Sequence, residues 1–296
     1  MPQYTLLYLF FWLLPITYLG NPDYKEEIIQ WHQKRVQSLQ SEQGWLNLAG
    51  LFWLKEGKNT FGAAQTNDIV FPEGKCPSFL GTISLQNGEV SIDISPDKEV
   101  FSENTRITQT TIFSPSLSAP LTLRHGSLRW FIIKRGDKYG IRLRDLESPM
   151  LHSFKGISTY PIKEKWKVKA RLVPPTENKK IAITDVLGMT SMQDLAGSLI
   201  FELHGKQYKL EAVDNGKDLF ILFADKTNGG NTYDSGRFLY AEKPDSEGYT
   251  FLDFNKSINP PCAFTDFATC PLPPKQNFLP IMVKAGEKKF EGGGKH

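Results

Sequence analysis

Between residues 44 and 254 the sequence is a series of short β-type runs broken by Gly, Pro, Ser and Asn, with no long helical pattern among them. The runs at 90–94, 107–113, 121–124, 128–134, 139–144, 198–203, 208–213, 219–224, 237–240 and 249–254 alternate apolar with polar residues or are continuously apolar. Arg135-Gly136-Asp137-Lys138 and His204-Gly205-Lys206 are hairpin turns. After the first of them, Tyr139, Ile141 and Leu143 fall on one strand face and Arg142 and Arg144 on the other. Trp166, Val168, Ala170 and Leu172 alternate with Lys167, Lys169 and Arg171, as in a half-buried antiparallel strand with a solvated cationic face. Strands so closely spaced can bury their apolar faces only against other sheets. The expected fold is therefore mainly β, an antiparallel β-sandwich or barrel-like sheets, with one N-terminal helix. That helix is read from Ile28, Trp31, Arg35 with Val36, and Leu39, at three- to four-residue steps after the N-cap candidate Asp23. His32 lies beside its apolar stripe and is read as a packing residue.

Residues 6–19 are almost wholly apolar and carry no charge, a length that suits a signal-peptide core better than a membrane span of ~20 residues. The expectation is a signal peptide over 1–20, export to the periplasm or cell exterior, and no membrane span after cleavage. No Lys or Arg precedes the run, and Tyr18-Leu19-Gly20 is a poor cleavage site. The remainder divides into a helix plus β-rich lobe at 23–125, a second β domain at 126–290 and a disordered Gly-rich tail at 291–296. A soft boundary lies near 114–120, and there is no convincing internal repeat.

With 35 basic and 32 acidic residues the net charge is +3, too small and too dispersed for a nucleic-acid partner. No G-x-S-x-G, H-E-x-x-H, Walker A or G-x-G-x-x-G pattern occurs, which disfavours common hydrolase, zincin, P-loop and dinucleotide-binding families. The histidines are scattered and no C-x-x-C pair exists, so no metal and no cofactor is expected. The loop 225–236 is rich in oxygen ligands, but its twelfth position is Gly236 where an EF-hand needs a bidentate Glu. The three cysteines fit either compartment. In an oxidising one, Cys262 and Cys270 could close a short loop and leave Cys76 free.

The most specific stretch is 252–274. Its prolines fix φ and remove backbone donors, so it must be an ordered coil rather than a continued strand. Asp253 and Asn255 share a strand face and Asn259 follows at the strand end, placing a carboxylate and two amides at a loop mouth. Arg142, with Arg144, Asp145 and Arg237, offers guanidinium groups able to clamp a carboxylate or phosphate. The candidate ligand-binding set is Asp253, Asn255, Asn259, Arg237, Tyr233, Arg142 and Glu287; catalytic residues are unassigned. Each has a structural alternative: a capped coil clasped by the two cysteines, or arginines paired with nearby acids on a solvated face.

The run Leu252-Asp253-Phe254-Asn255, then Asn259-Pro260-Pro261-Cys262-Ala263-Phe264 and Ala268-Thr269-Cys270-Pro271-Leu272-Pro273-Pro274, through Asn277, Leu279 and Ala285-Gly286-Glu287, resembles the bacterial domain of unknown function family 1684 (DUF1684). Gly140-Ile141-Arg142-Leu143-Arg144-Asp145 and Thr232-Tyr233-Asp234-Ser235-Gly236-Arg237-Phe238 support it, and 45–57 resembles the segment that precedes that domain. The resemblance implies no chemistry. Three functions follow as expectations: binding of a small polar ligand; hydrolysis of a small polar or glycan substrate with Asp253 as acid or base; or a structural or interaction role in the cell envelope, suggested by the aromatics of 45–53. Oligomeric state is left open.

Overall fold

A computed structural model describes residues 23–177 and 179–292. The apolar run 6–19 and the end of the Gly-rich tail lie outside the described residues. The first element is helix α1 (Tyr24–Gln40), whose Ile28 and Leu39 are buried; Asp23 stands at its N-cap position without a side-chain cap bond.

Eleven strands then build the first lobe: β1 (Leu48–Trp53), β2 (Gly57–Gly62), β3 (Ile69–Val70), β4 (Gly81–Gln86), β5 (Glu89–Ile94), β6 (Phe101–Ser102), β7 (Thr105–Arg106), β8 (Gln109–Phe113), β9 (Leu123–His125), β10 (Leu128–Arg135) and β11 (Lys138–Asp145). One sheet runs β1-β11-β10-β9-β6-β7 and the other β3-β2-β4-β5-β8. Their apolar faces meet in a core centred on Phe61, Phe71 and Trp130, with Ile83, Ile92, Ile141 and Leu143 around them. The aromatic trio packs edge to face, with ring centroids 5.5–6.2 Å apart.

A short helix α2 (Pro149–Ser153) leads to the second lobe: β12 (Lys167–Val173), β13 (Lys180–Thr184), β14 (Thr190–Leu203), β15 (Lys206–Asp214), β16 (Asp218–Asp225), β17 (Arg237–Glu242), β18 (Tyr249–Asp253) and β19 (Phe278–Leu279). The main sheet is ordered β17-β16-β15-β14-β12-β18. Its outer strands approach one another, and the Thr250 hydroxyl donates to the Glu242 carbonyl, so the sheet is a nearly closed antiparallel barrel. Trp166, Phe201, Phe223, Leu252 and Phe254 fill it.

Strand β14 serves two pairings. Its first half lies against β13 and its second against β12 and β15, with a bulge between Leu195 and Gly197. Gly197 has φ 146°, and a Cβ there would stand 2.4 Å from the Val173 carbonyl oxygen. Only glycine lets the strand turn at this point.

The structure is thus mainly β with antiparallel sheets and a long N-terminal helix, as the strand rhythm indicates. The hairpin β10–β11, placed by sequence in the second domain, pairs with β1 and β9 in the first lobe. Tyr139, Ile141 and Leu143 belong to the first core, and burying them there fixes the hairpin. By sheet membership the chain divides after Asp145.

Candidate functional site

The 252–274 segment is as tightly ordered as its prolines require. Its polar residues mostly face helix α1 and the C-terminal segment, not solvent. Asp253 accepts from the Tyr24 hydroxyl at 2.8 and 2.9 Å and from the backbone N–H of Asn255 at 3.1 Å. Burial and the Asp253 carboxylate together hold the Tyr24 phenol far above its usual range. The Asn255 amide bonds the Tyr24 hydroxyl and the Lys163 carbonyl, and its backbone carbonyl bonds His32. Burial keeps the His32 imidazole below its ordinary pKa, in keeping with a packing role. Glu287, fully buried, holds Arg35 with one oxygen (3.2 Å) and the Asn259 N–H with the other (2.6 Å). These contacts dock α1 on the second lobe.

Arg237 is also fully buried. It pairs with Asp225 at 2.7 Å and donates to the carbonyls of Val283, Ala285 and Glu287. The other Asp225 oxygen accepts from Thr227 and from the Val283 N–H, so the carboxylate of the oxygen-rich loop is spent on structure. Tyr233 is buried in the third apolar cluster, beside Cys262 and Phe264. Cys262 and Cys270 form a disulfide with Cα atoms 6.1 Å apart, and Cys76 is free.

Two of the expected residues, Arg142 and Asn259, do meet at a cavity. It is a recess of about 290 Å³ where the first lobe faces the disulfide loop, lined by Arg35, Trp45, Arg135, Arg142, Phe220, Phe238, Tyr240, Asn259, Thr269 and Pro271 among others. The aromatic side is preformed: Phe220 stacks on Tyr240 at 4.9 Å and meets Phe238 edge-on at 4.9 Å. Trp45 lies under Arg142, whose guanidinium carbon is 5.7 Å from the ring centre.

Arg142 is the unusual group. It is only 6% exposed, enters no ion pair among the described residues, and its Nε has no hydrogen-bond partner. Burial, with Arg135 and Arg144 nearby, pulls its pKa down to about 10. Arg135 is bound to the Thr269 hydroxyl and the Lys134 carbonyl and likewise has no acidic partner among the described residues. Arg144, equally buried and also outside any ion pair among the described residues, donates through one terminal nitrogen to Asn47 (2.7 Å) and the Gly44 carbonyl, while its Nε has no partner. Asn259 borders the recess as well; its amide nitrogen donates to the Lys288 carbonyl, and its Oδ1, shut off from solvent, has no hydrogen-bond partner among the described residues. A buried cation without an acid partner, set in an aromatic recess, can hold an organic anion.

Asp253, Asn255, Arg237, Tyr233 and Glu287 do not line the recess. Sequence reading passed over Arg35, Arg135, Phe220, Phe238, Tyr240 and Thr269 as site residues. They come from four separate regions of the chain, and the only local signal was the β11 alternation that turns Arg142 away from the core.

No curated protein matches the chain. A solution NMR structure of an uncharacterized protein of Haloarcula marismortui is 32% identical, covering 46% of this chain and 78% of that one with a TM-score of 0.39. Residues 152–288 match the family described as "Protein of unknown function (DUF1684)". This span carries the proline-rich coil, its disulfide and the aromatic wall of the recess, and the chain belongs to the DUF1684 family.

Proposed function

We propose that the protein binds a small organic anion, a carboxylate or phosphate ester, in the recess between the first lobe and the disulfide loop. The observation that carries this reading is Arg142, a guanidinium held out of water with no acid to neutralise it. Leaving such a charge uncompensated costs several kcal/mol, and a bound anion removes that cost. The Phe220, Phe238, Tyr240 and Trp45 rings would enclose the body of the ligand while Arg142 takes its charge. Asp253, bonded beneath α1, gives no support to a role as acid or base.

Calorimetric titration with benzoate tests the reading. The native protein should bind, and Arg142→Met should lose at least tenfold in affinity, as expected for a charge-assisted bond worth about 1.5–3 kcal/mol. Met keeps the apolar stem and removes the buried charge, so the free variant should be no less stable than the native protein. The protonated guanidinium is the binding form. Affinity should hold from pH 6 to 9 and fall as pH rises through about 10, the value to which burial lowers Arg142. Equal affinity in Arg142→Met would overturn the assignment.

We also propose export, with the apolar run 6–19 as the targeting segment; the Cys262–Cys270 bridge supports it, since disulfides persist in oxidising compartments. Cell fractionation that leaves the full-length chain in the cytoplasm would reject this.

A further inference from the structure

The Arg142 recess holds more positive charge than one carboxylate can offset. Phe131 stands opposite Arg142 across the β10–β11 pair, and Arg135 lies four residues further along β10. Both guanidiniums therefore leave the same sheet face. Arg35, Arg135 and Arg142 all line the recess, and its wall contains no Asp or Glu among the described residues. Arg35 is neutralised by Glu287, and its second bond goes to the Asn259 carbonyl. Arg142 and Arg135 have no acid partner of this kind among the described residues. Arg135 spends Nε on the Thr269 hydroxyl and one terminal nitrogen on the Lys134 carbonyl, which leaves the other terminal nitrogen. On Arg142 only Nε is both unbonded and shut off from solvent, so its terminal nitrogens are the part left for a ligand. The Thr269 hydroxyl accepts from Arg135 and gives its own proton to no acceptor among the described residues.

We infer that the ligand is the phosphate monoester of a flat apolar molecule, its phosphate held by Arg142, Arg135 and the Thr269 hydroxyl and its ring against Phe220 and Tyr240. This deepens the anion-binding reading and rests on it. Charge is the first argument. A carboxylate offsets one guanidinium, whereas a phosphate monoester carries about −1.5 to −2 at pH 7 and offsets both. The two cations also act on each other: burial lowers the Arg142 pKa first, and the Arg135 charge adds to it. Donor count is the second argument. Two guanidiniums and a hydroxyl match the three terminal oxygens of a phosphate, and a carboxylate has only two. The aromatic wall is the third. Phe220 and Tyr240 stack at 4.9 Å with 23° between their planes, and Phe238 meets Phe220 edge-on, an apolar surface suited to a flat ring.

Calorimetry on the full chain with benzoate, isophthalate and phenyl phosphate is the test. At pH 8 phenyl phosphate should bind about tenfold more tightly than benzoate, the effect of one added charge-assisted bond. It should also exceed isophthalate, which carries two charges but no third oxygen on either group. Arg142→Met should lose all three probes. Arg135→Gln, at the exposed rim, should cost phenyl phosphate about fivefold and leave benzoate within about twofold. The second phosphate charge titrates near about pH 6, so the advantage over benzoate should shrink about fivefold between pH 8 and pH 5. Arg35, Arg135, Arg142 and Tyr240 are the ionisable groups of the wall, with Glu287 paired to Arg35, and benzoate reports any titration of theirs. Benzoate bound as tightly as phenyl phosphate overturns the phosphate class and leaves the anion reading intact. Isophthalate bound as tightly as phenyl phosphate overturns it in favour of a dicarboxylate. Failure of all three probes overturns both readings.

Discussion

Replacing Arg237 with Met is expected to lower the stability of the protein by about 3–5 kcal/mol, the range for removing one partner of a buried ion pair. Arg237 and Asp225 are both fully buried, 2.7 Å apart. The same guanidinium donates to the carbonyls of Val283 at 2.9 Å and Ala285 at 2.5 Å. Its loss would strand a carboxylate and at least two carbonyls in the interior at once. Burial lowers the Arg237 pKa and the Asp225 charge opposes that shift, so the cation depends on its partner. Urea unfolding of the single variants Arg237→Met and Asp225→Asn, and of the double variant, isolates the pair. Both singles should be strongly destabilised, and the double should cost clearly less than their sum because no unpaired charge remains. A cost under 1 kcal/mol for Arg237→Met would refute this account. The contrast with Arg142 is informative: the two arginines are similarly hidden, yet only one has an acid partner. Substituting the paired one should damage folding, and substituting the unpaired one should damage binding.

Breaking the Cys262–Cys270 disulfide should cost about 2.5 kcal/mol, from the chain-entropy cost of a loop of roughly eight residues. The two positions are separated by eight in sequence and both are buried. Comparison of urea midpoints with and without dithiothreitol measures the effect, and Cys262→Ser should reproduce it. Cys76 should not exchange with the bridge, because burial pushes its thiol up to about 11 and leaves little thiolate at neutral pH. The loop also carries Thr269, Cys270 and Pro271 into the recess. Reduction should therefore weaken benzoate binding in the folded protein as well. An unchanged midpoint on reduction would show that packing of Phe264 and Ala268, rather than the bridge, holds the loop.

The sequence by itself determined the architecture. Period-two alternation, two hairpin turns and a single 3.6-period stripe are local signals, and they are enough to specify antiparallel sheets with a leading helix. It also marked 252–274 as ordered coil, because proline restricts φ whatever surrounds it. Strands such as Gly57–Gly62 and Gly81–Gln86 were not read, since β-structure there rests on pairing with each other rather than on local apolar density. The assignment of β10–β11 to one lobe likewise needed its pairing partners.

The site was decided almost wholly by tertiary structure. Asp253, Asn255 and Glu287 are polar residues in a distinctive motif, but Tyr24 and Arg35, more than 220 positions earlier, consume their hydrogen-bonding capacity. Arg142 and Arg144 are indistinguishable by pattern. Both lie against the Trp45 ring, but Arg144 donates to Asn47 and the Gly44 carbonyl, while Arg142 lines the recess with no acid beside it among the described residues. Whether a buried polar group is structural or available to a ligand depends on which partners the fold brings within about 3 Å, and a sequence records residue types without recording those partners.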